Sequence, residues 1–195
     1  MVLQKSFLIC RMLEATTVTN EEELIQIRQL NQQNIRQNLS AEEKQKEGFV
    51  TWLYSIELLR EMHNLAPSVI VKDNDAVIGY ALVTLKEAAV FHPDLQVFID
   101  NLLPVFYQGK PLFSYEFYCM GQVCIHKDYR GKGAFNMLFQ KHKEIYSSKY
   151  QLLVTEISPS NIRSQKAHEN VGFKTVHTYK DTIDEWNVVV WDWRS

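Results

Sequence analysis

Apolar positions along the chain recur at two periods, near two and near 3.6 residues, and each change of period marks an element. Residues 7–15 read as a first strand. Asn20 caps a helix beginning at Glu21. Glu23 sits three residues after the cap, as in a capping box, and Leu24, Ile27 and Leu30 share one face. Ser40 and Glu43 repeat the signature and predict a second helix with an apolar stripe of Phe49, Trp52, Leu53, Ile56 and Leu59. Pro67 ends that region. Residues 68–72 and 76–85 form a hairpin around Asp73-Asn74-Asp75.

His92-Pro93-Asp94 starts a short helix through Leu102 and Leu103, Pro104 stops it, and an aromatic-rich loop runs to Pro111. Residues 113–125 return as a long strand with Gly121 near its middle, where a bulge could splay it from its neighbour. Val123-Cys124-Ile125 closes that strand, the turn Tyr129-Arg130-Gly131-Lys132-Gly133-Ala134 breaks it, and a helix pattern follows. Residues 151–157 are a strand, Ser158-Pro159-Ser160 a turn, and Asn161 to Val171 a helix stopped by Gly172. Strands near 174–179 and 187–193 finish the chain. The alternation predicts an α/β (α+β) domain over 1–195, with a mixed, mostly antiparallel central sheet flanked by helices.

Composition narrows the function classes. At 195 residues with 46% hydrophobic and 23% charged positions, the chain suits one medium domain with a sizeable core. A net charge of −2 argues against bulk nucleic-acid binding, which needs a clustered basic surface. No apolar run approaches the ~20 residues that cross a bilayer. The apolar stretch 6–10 is too short for a secretory signal, so the expected place is the cytoplasm. Cys10, Cys119 and Cys124 fit neither a disulfide framework nor a metal spacing, and no metal is expected. Cys119 and Cys124, five apart on one strand, face opposite sides unless a bulge intervenes.

The turn after Ile125 carries the clearest chemistry. Unpaired N–H groups at a helix start, aided by the helix dipole, form an anion site. Gly131 and Gly133 let backbone approach a phosphate closely, and Arg130 and Lys132 add positive charge. These residues suit a phosphorylated cofactor.

The same turn resembles the acetyl-CoA loop of the GNAT superfamily of N-acetyltransferases. The family pattern is Arg or Gln, two residues, Gly, one residue, then Gly or Ala, after a strand of alternating aliphatics. Arg130, Gly133 and the strand Val123-Cys124-Ile125 match it. Phe135 departs from the small last residue, so its ring must turn toward core or solvent. Asn161, Ala167 and the closing Gly172-Phe173 resemble the family's second cofactor motif. The resemblance is specific over about 113–179. It implies a GNAT-like acyl-CoA N-acyltransferase fold, in which residues at about 87–112 are a helical, aromatic insertion. That insertion either packs over the acyl end or a partner, or extends the core through Phe91, Phe98, Leu102 and Phe106.

The resemblance further implies acetyl-CoA as donor and direct transfer to a primary amine in a ternary complex. Arg130, Gly131, Lys132, Gly133 and Ala134 would meet the phosphates, with Phe135 and Asn136 at the helix start. Asn161 would contact the pantetheine arm, and the backbone at Val123, Cys124 and Ile125 would orient the thioester. His168 stands where the family often has a Tyr that protonates the leaving thiolate, with Tyr179 and Tyr146 as rivals. Glu116 and Glu156, on successive strands, are the candidate bases. The acceptor stays open between a small-molecule amine and a protein amine. A homodimer through the aromatic end at 186–193 also stays open, as does a non-catalytic acyl-CoA-binding or regulatory module.

Overall fold

The computed structural model describes residues 13–194. Strands β1 (Leu13–Thr17), β2 (Val69–Asp73), β3 (Ala76–Thr84), β6 (Phe117–Ile125), β7 (Leu152–Ile157), β8 (Lys174–Lys180) and β9 (Glu185–Asp192) build one sheet. Its order is β1-β2-β3-β6-β7-β9-β8, and among these pairs only β6 and β7 run parallel. A parallel pair needs a crossover, and helix α5 (Ala134–Tyr146) supplies it. Part of the strand expected at 7–15 lies outside the described residues; the rest belongs to β1.

Helices cover both faces. Val83, Tyr118, Met120 and Leu153 point to one face, where they pack with Leu138 and Phe139 of α5 and with Phe173. The other face carries α1 (Glu21–Asn34) and α3 (Ile56–Leu65) over Ile70, Tyr80 and Leu82. There α4 (Pro93–Asn101) and the segment after it cover Phe117, Leu152 and Val188. Within the insertion, Leu102 is fully buried, Phe91 and Phe98 are partly buried, and Phe106 at the two-residue hairpin β4 (Phe106–Tyr107) and β5 (Lys110–Pro111) is exposed. Core packing accounts for some of its aromatics.

Two expectations need correction. The second helix is two: α2 (Ala41–Glu47), with the expected capping box at Ser40, and α3, capped by Ser55. Gly48 separates them at φ 74°, a left-handed conformation that only glycine adopts cheaply. Residues 49–55 form a connector that contains no helix. The long strand begins at Phe117 rather than at 113, because 112–114 form a single 3₁₀ turn.

The bulge at Gly121 is present. Ala81 pairs with Val123 and Val83 with Met120, so β6 spends three residues where β3 spends two. Cys119, opposite Thr84, and Cys124, opposite Tyr80, therefore share one face of the sheet, both as buried free thiols. No room exists for a side chain at 121. A Cβ there would stand 2.5 Å from Thr84 Oγ1 and 2.8 Å from the Tyr54 hydroxyl.

Candidate active site

The bulge is also where β6 and β7 part. They pair at Phe117–Leu152, Tyr118–Leu153 and Cys119–Val154, and then diverge. Across the opening the Thr155 hydroxyl donates to the Met120 carbonyl at 2.7 Å. On the β3 side, His126 N–H donates to the Ile78 carbonyl. The antiparallel alternation then turns Cys124 toward Tyr80 and leaves the Val123 and Ile125 amides facing the gap. Cys124 lines the opening only as wall, and burial pushes its thiol up to about 12.

One cleft, of about 360 Å³, opens from this gap toward the start of α5. His126 caps a short turn, Arg130 is extended, and Gly131 and Gly133 take φ of 73° and 86° before Ala134 enters the helix. The first bond of α5 joins Met137 N–H to the Gly133 carbonyl, so Ala134, Phe135 and Asn136 have no partner within the helix. A Cβ at Gly131 or Gly133 would meet nothing within 4 Å, leaving open space above the backbone. Phe135 does turn toward the core: its ring packs on Phe139 and His168, with centroids at 4.7 and 5.1 Å.

The two cations of the turn are placed differently from each other. Arg130 is a tie, donating Nε to the Ile125 carbonyl at 2.9 Å, Nη1 to Glu47 at 2.7 Å and Nη2 to Asn34 Oδ1 at 2.6 Å. It fastens the ends of α1 and α2 to the turn. Lys132 is exposed and lies over the Tyr129 ring at 5.7 Å, off the cleft wall. The cation that sequence reasoning missed is Arg163, on the first turn of α6 (Ile162–Val171), which lines the cleft and donates to the Lys46 carbonyl. Its position two residues after Asn161 was the available signal. Asn161 caps α6 and donates to the Phe49 carbonyl at 3.0 Å, holding the 48–50 segment as the cleft's far wall.

A second cleft, of about 230 Å³, begins on the other side of the gap and shares Phe49, Val50, Val123, Asn161 and Ser164 with the first. Trp52 and Tyr54 wall it, held by a buried amide pair. Asn31 donates to Gln122 Oε1 and to the Trp52 carbonyl, and accepts from Tyr54 N–H. Glu156 lines this cleft beside the gap. Burial pushes its carboxyl up to about 7, against the hydrogen bond from the Tyr179 hydroxyl and with the help of Asp181. Tyr179, held also by Asn101, is pushed above the ordinary phenol range by the same burial.

The other two candidates fare differently. Glu116 is exposed at the opposite end of β6 and lines neither cleft, because the strand begins one residue after it. His168 lines the second cleft, but Ser164 and three phenyl rings enclose it. Its Nδ1 lies 2.8 Å from the Ser164 carbonyl, which can only accept, so Nδ1 carries the proton and Nε2 a lone pair. Burial drives its pKa down to about 4. In that tautomer the proton is on Nδ1, turned to the Ser164 carbonyl, and Nε2 is the lone-pair nitrogen. Tyr146 donates to the Pro67 carbonyl and belongs to the core against α5.

A strand that opens at a bulge beside a glycine turn entering a helix sets the comparison with known proteins. The family model described as the Acetyltransferase (GNAT) family matches residues 27–173. The chain belongs to the GNAT acetyltransferase family. Among solved structures, a chain of the NatC complex bound to Gag peptide and CoA is similar at TM-score 0.61 and 14% identity, covering 92% of this chain and 98% of that one. The ribosomal-protein-S18-alanine N-acetyltransferase from Escherichia coli gives 0.59 at 11%, covering 93% and 94%. The yncA protein from Salmonella typhimurium with its cofactor acetyl-CoA gives 0.58 at 13%, covering 92% and 93%. At these identities the likeness concerns the fold. No curated protein matches the chain. Among the described residues of this GNAT protein, no helix is long and apolar enough to cross a membrane, and no group of three or more His, Cys, Asp or Glu is placed to hold a metal ion.

Proposed function

We propose that the protein transfers an acetyl group from acetyl-CoA to a primary amine within one ternary complex, with Glu156 as the base. One observation carries the reading: two clefts join where β6 and β7 part, with open amides on one side and Glu156 on the other. The donor fits the first cleft. The free N–H groups of Ala134, Phe135 and Asn136 and the space over Gly131 and Gly133 suit a pyrophosphate, and Arg163, 3.5 Å from Glu47, stands at the wall. Bound acetyl-CoA supplies the acetyl group as a thioester. The Val123 amide, facing the gap, holds the carbonyl oxygen and stabilises charge developing there. Glu156, pushed up to about 7, takes the proton that the incoming amine gives up.

A second reading, a module that binds acyl-CoA without turnover, draws support from His168, which lacks a proton where the leaving thiolate would want one. Calorimetry with acetyl-CoA, CoA and ATP, followed by an amine panel, separates the two. The expected result is micromolar-to-millimolar binding of both CoA species, weaker ATP binding, and acetylation of at least one amine. CoA binding without any product favours the module; no binding overturns both readings. Gly133→Val is expected to weaken CoA binding at least about tenfold by filling the cradle, and to cost about 1–2 kcal/mol of stability from its positive φ. Unchanged affinity in the folded variant would remove the phosphate assignment.

A further inference from the structure

The second cleft restricts the kind of amine it takes. Resting on the N-acetyltransfer reading, we propose that the acceptor is a small primary amine on a compact apolar or aromatic body that bears no carboxylate.

The charges in the cleft are of one sign. Glu156 lines it with Asp181 beside it and Asp94 on the α4 side, while among the described residues no Lys or Arg lines the cleft. His168, the one imidazole among the described residues that line it, is held neutral by burial. Asp181 is fixed in place, accepting from Ile183 N–H, Asp184 N–H and the Trp186 indole N–H. An ammonium is attracted into such a site, whereas a free α-amino acid would bring its carboxylate against Asp181 and Asp94, and against Glu156 once it ionises, with no cation among the described lining residues to receive it.

The walls are apolar. Trp52 and Tyr54 pack with ring centroids 4.3 Å apart, and Phe98 and Trp186 line the same space. Their faces suit both an aromatic body and the adjoining cation. The mouth is apolar too: Val97 on α4 is 52% exposed and Ile183, in the turn between β8 and β9, is 70% exposed. A polyamine would present its second ammonium to this rim. At about 230 Å³ the space suits a body of one ring or a short branched chain. Protons and bonds balance as in the transfer itself. The ammonium loses one proton to become nucleophilic and a second as the C–N bond forms; the C–S bond breaks, the sulfur keeps its electron pair and takes up one proton, and the other leaves to solvent by way of Glu156.

The test compares phenethylamine with L-phenylalanine, which differs by a carboxylate, with spermidine, and with the tripeptide amide Phe-Gly-Gly-NH₂. Acetylation is measured with acetyl-CoA, and binding independently by tryptophan fluorescence in the presence of CoA. Phenethylamine is expected to exceed each of the others by at least about tenfold in kcat/KM and in affinity. Val97→Lys, at the exposed rim, is expected to narrow the gap between phenethylamine and L-phenylalanine. Turnover that prefers L-phenylalanine, spermidine or the peptide overturns this inference and leaves N-acetyltransfer standing. Selective binding of phenethylamine without any product overturns N-acetyltransfer and upholds the preference of the cleft. Phenethylamine that neither binds nor reacts overturns the inference outright.

Discussion

Glu156 and His168 both line the second cleft, and burial moves both toward their neutral forms, raising the acid and lowering the base. For Glu156 the direction has two measurable consequences. As the base, its deprotonation should make the rate rise with pH through about 7, and Glu156→Gln should abolish that limb while lowering turnover about 10²–10⁴-fold. The stability effect runs the other way. The folded value lies above the ordinary 4.5, so between the two the folded state holds a proton the unfolded chain has lost. That contribution is complete below 4.5 and lost as pH rises through about 7. At pH 8 the wild type therefore carries a buried carboxylate that costs at most about 3 kcal/mol, less where cleft water screens it. Urea midpoints at pH 8 should show Glu156→Gln more stable than wild type while nearly inactive. A variant both inactive and less stable would mean Glu156 holds structure through Tyr179 instead.

At the level of elements, the gap depends on the bulge, and the bulge on glycine. Gly121→Val would drive a side chain into Thr84 and Tyr54, so at least about 2 kcal/mol of stability should go, together with turnover. Thermal melts and initial rates check both. Full activity in this variant would show that the strands part for another reason. Much of this architecture was readable from residue chemistry: the caps at Asn20 and Ser40, the Asp73-Asn74-Asp75 turn, Gly121 as the bulge, and the glycines before α5. Other parts were not. Phe49, Trp52, Leu53, Ile56 and Leu59 are spaced like one helical stripe, yet Trp52 owes its place to a connector pinned by Asn31 and Gln122, residues distant in sequence. Arg130 has the family's residue type, but its partners Glu47 and Asn34 come from α2 and α1, and no local pattern announces them. Tyr179 reaches Glu156 although β9 lies between their strands, a neighbourhood that only the sheet order creates.

For the whole molecule, acid is the expected weakness. His142, which hydrogen-bonds the Tyr118 hydroxyl at 2.8 Å inside the α5 core, is pushed by burial down to about 3, and His168 to about 4. Both are neutral when folded. Below about 6.5 the unfolded chain takes protons that the folded one refuses, so the histidines' contribution holds above 6.5 and drains away as pH falls toward those lower values. Together the two should cost several kcal/mol by pH 4, on the order of 1.4 kcal/mol for every tenfold loss of proton affinity on folding. Denaturant midpoints between pH 7 and 4 measure this loss, and His168→Gln should make it shallower. An equal slope in the variant would assign the acid sensitivity elsewhere. The extra residue in β6 has a consequence of a different kind. A strand counts by twos, and this one changes parity once, so odd positions before the bulge and even positions after it face the same side of the sheet. Deleting Gly121 would shorten the chain by one residue and turn 122–125 over. The Gln122 amide would enter the apolar layer under α5, and Val123 and Ile125 would leave it.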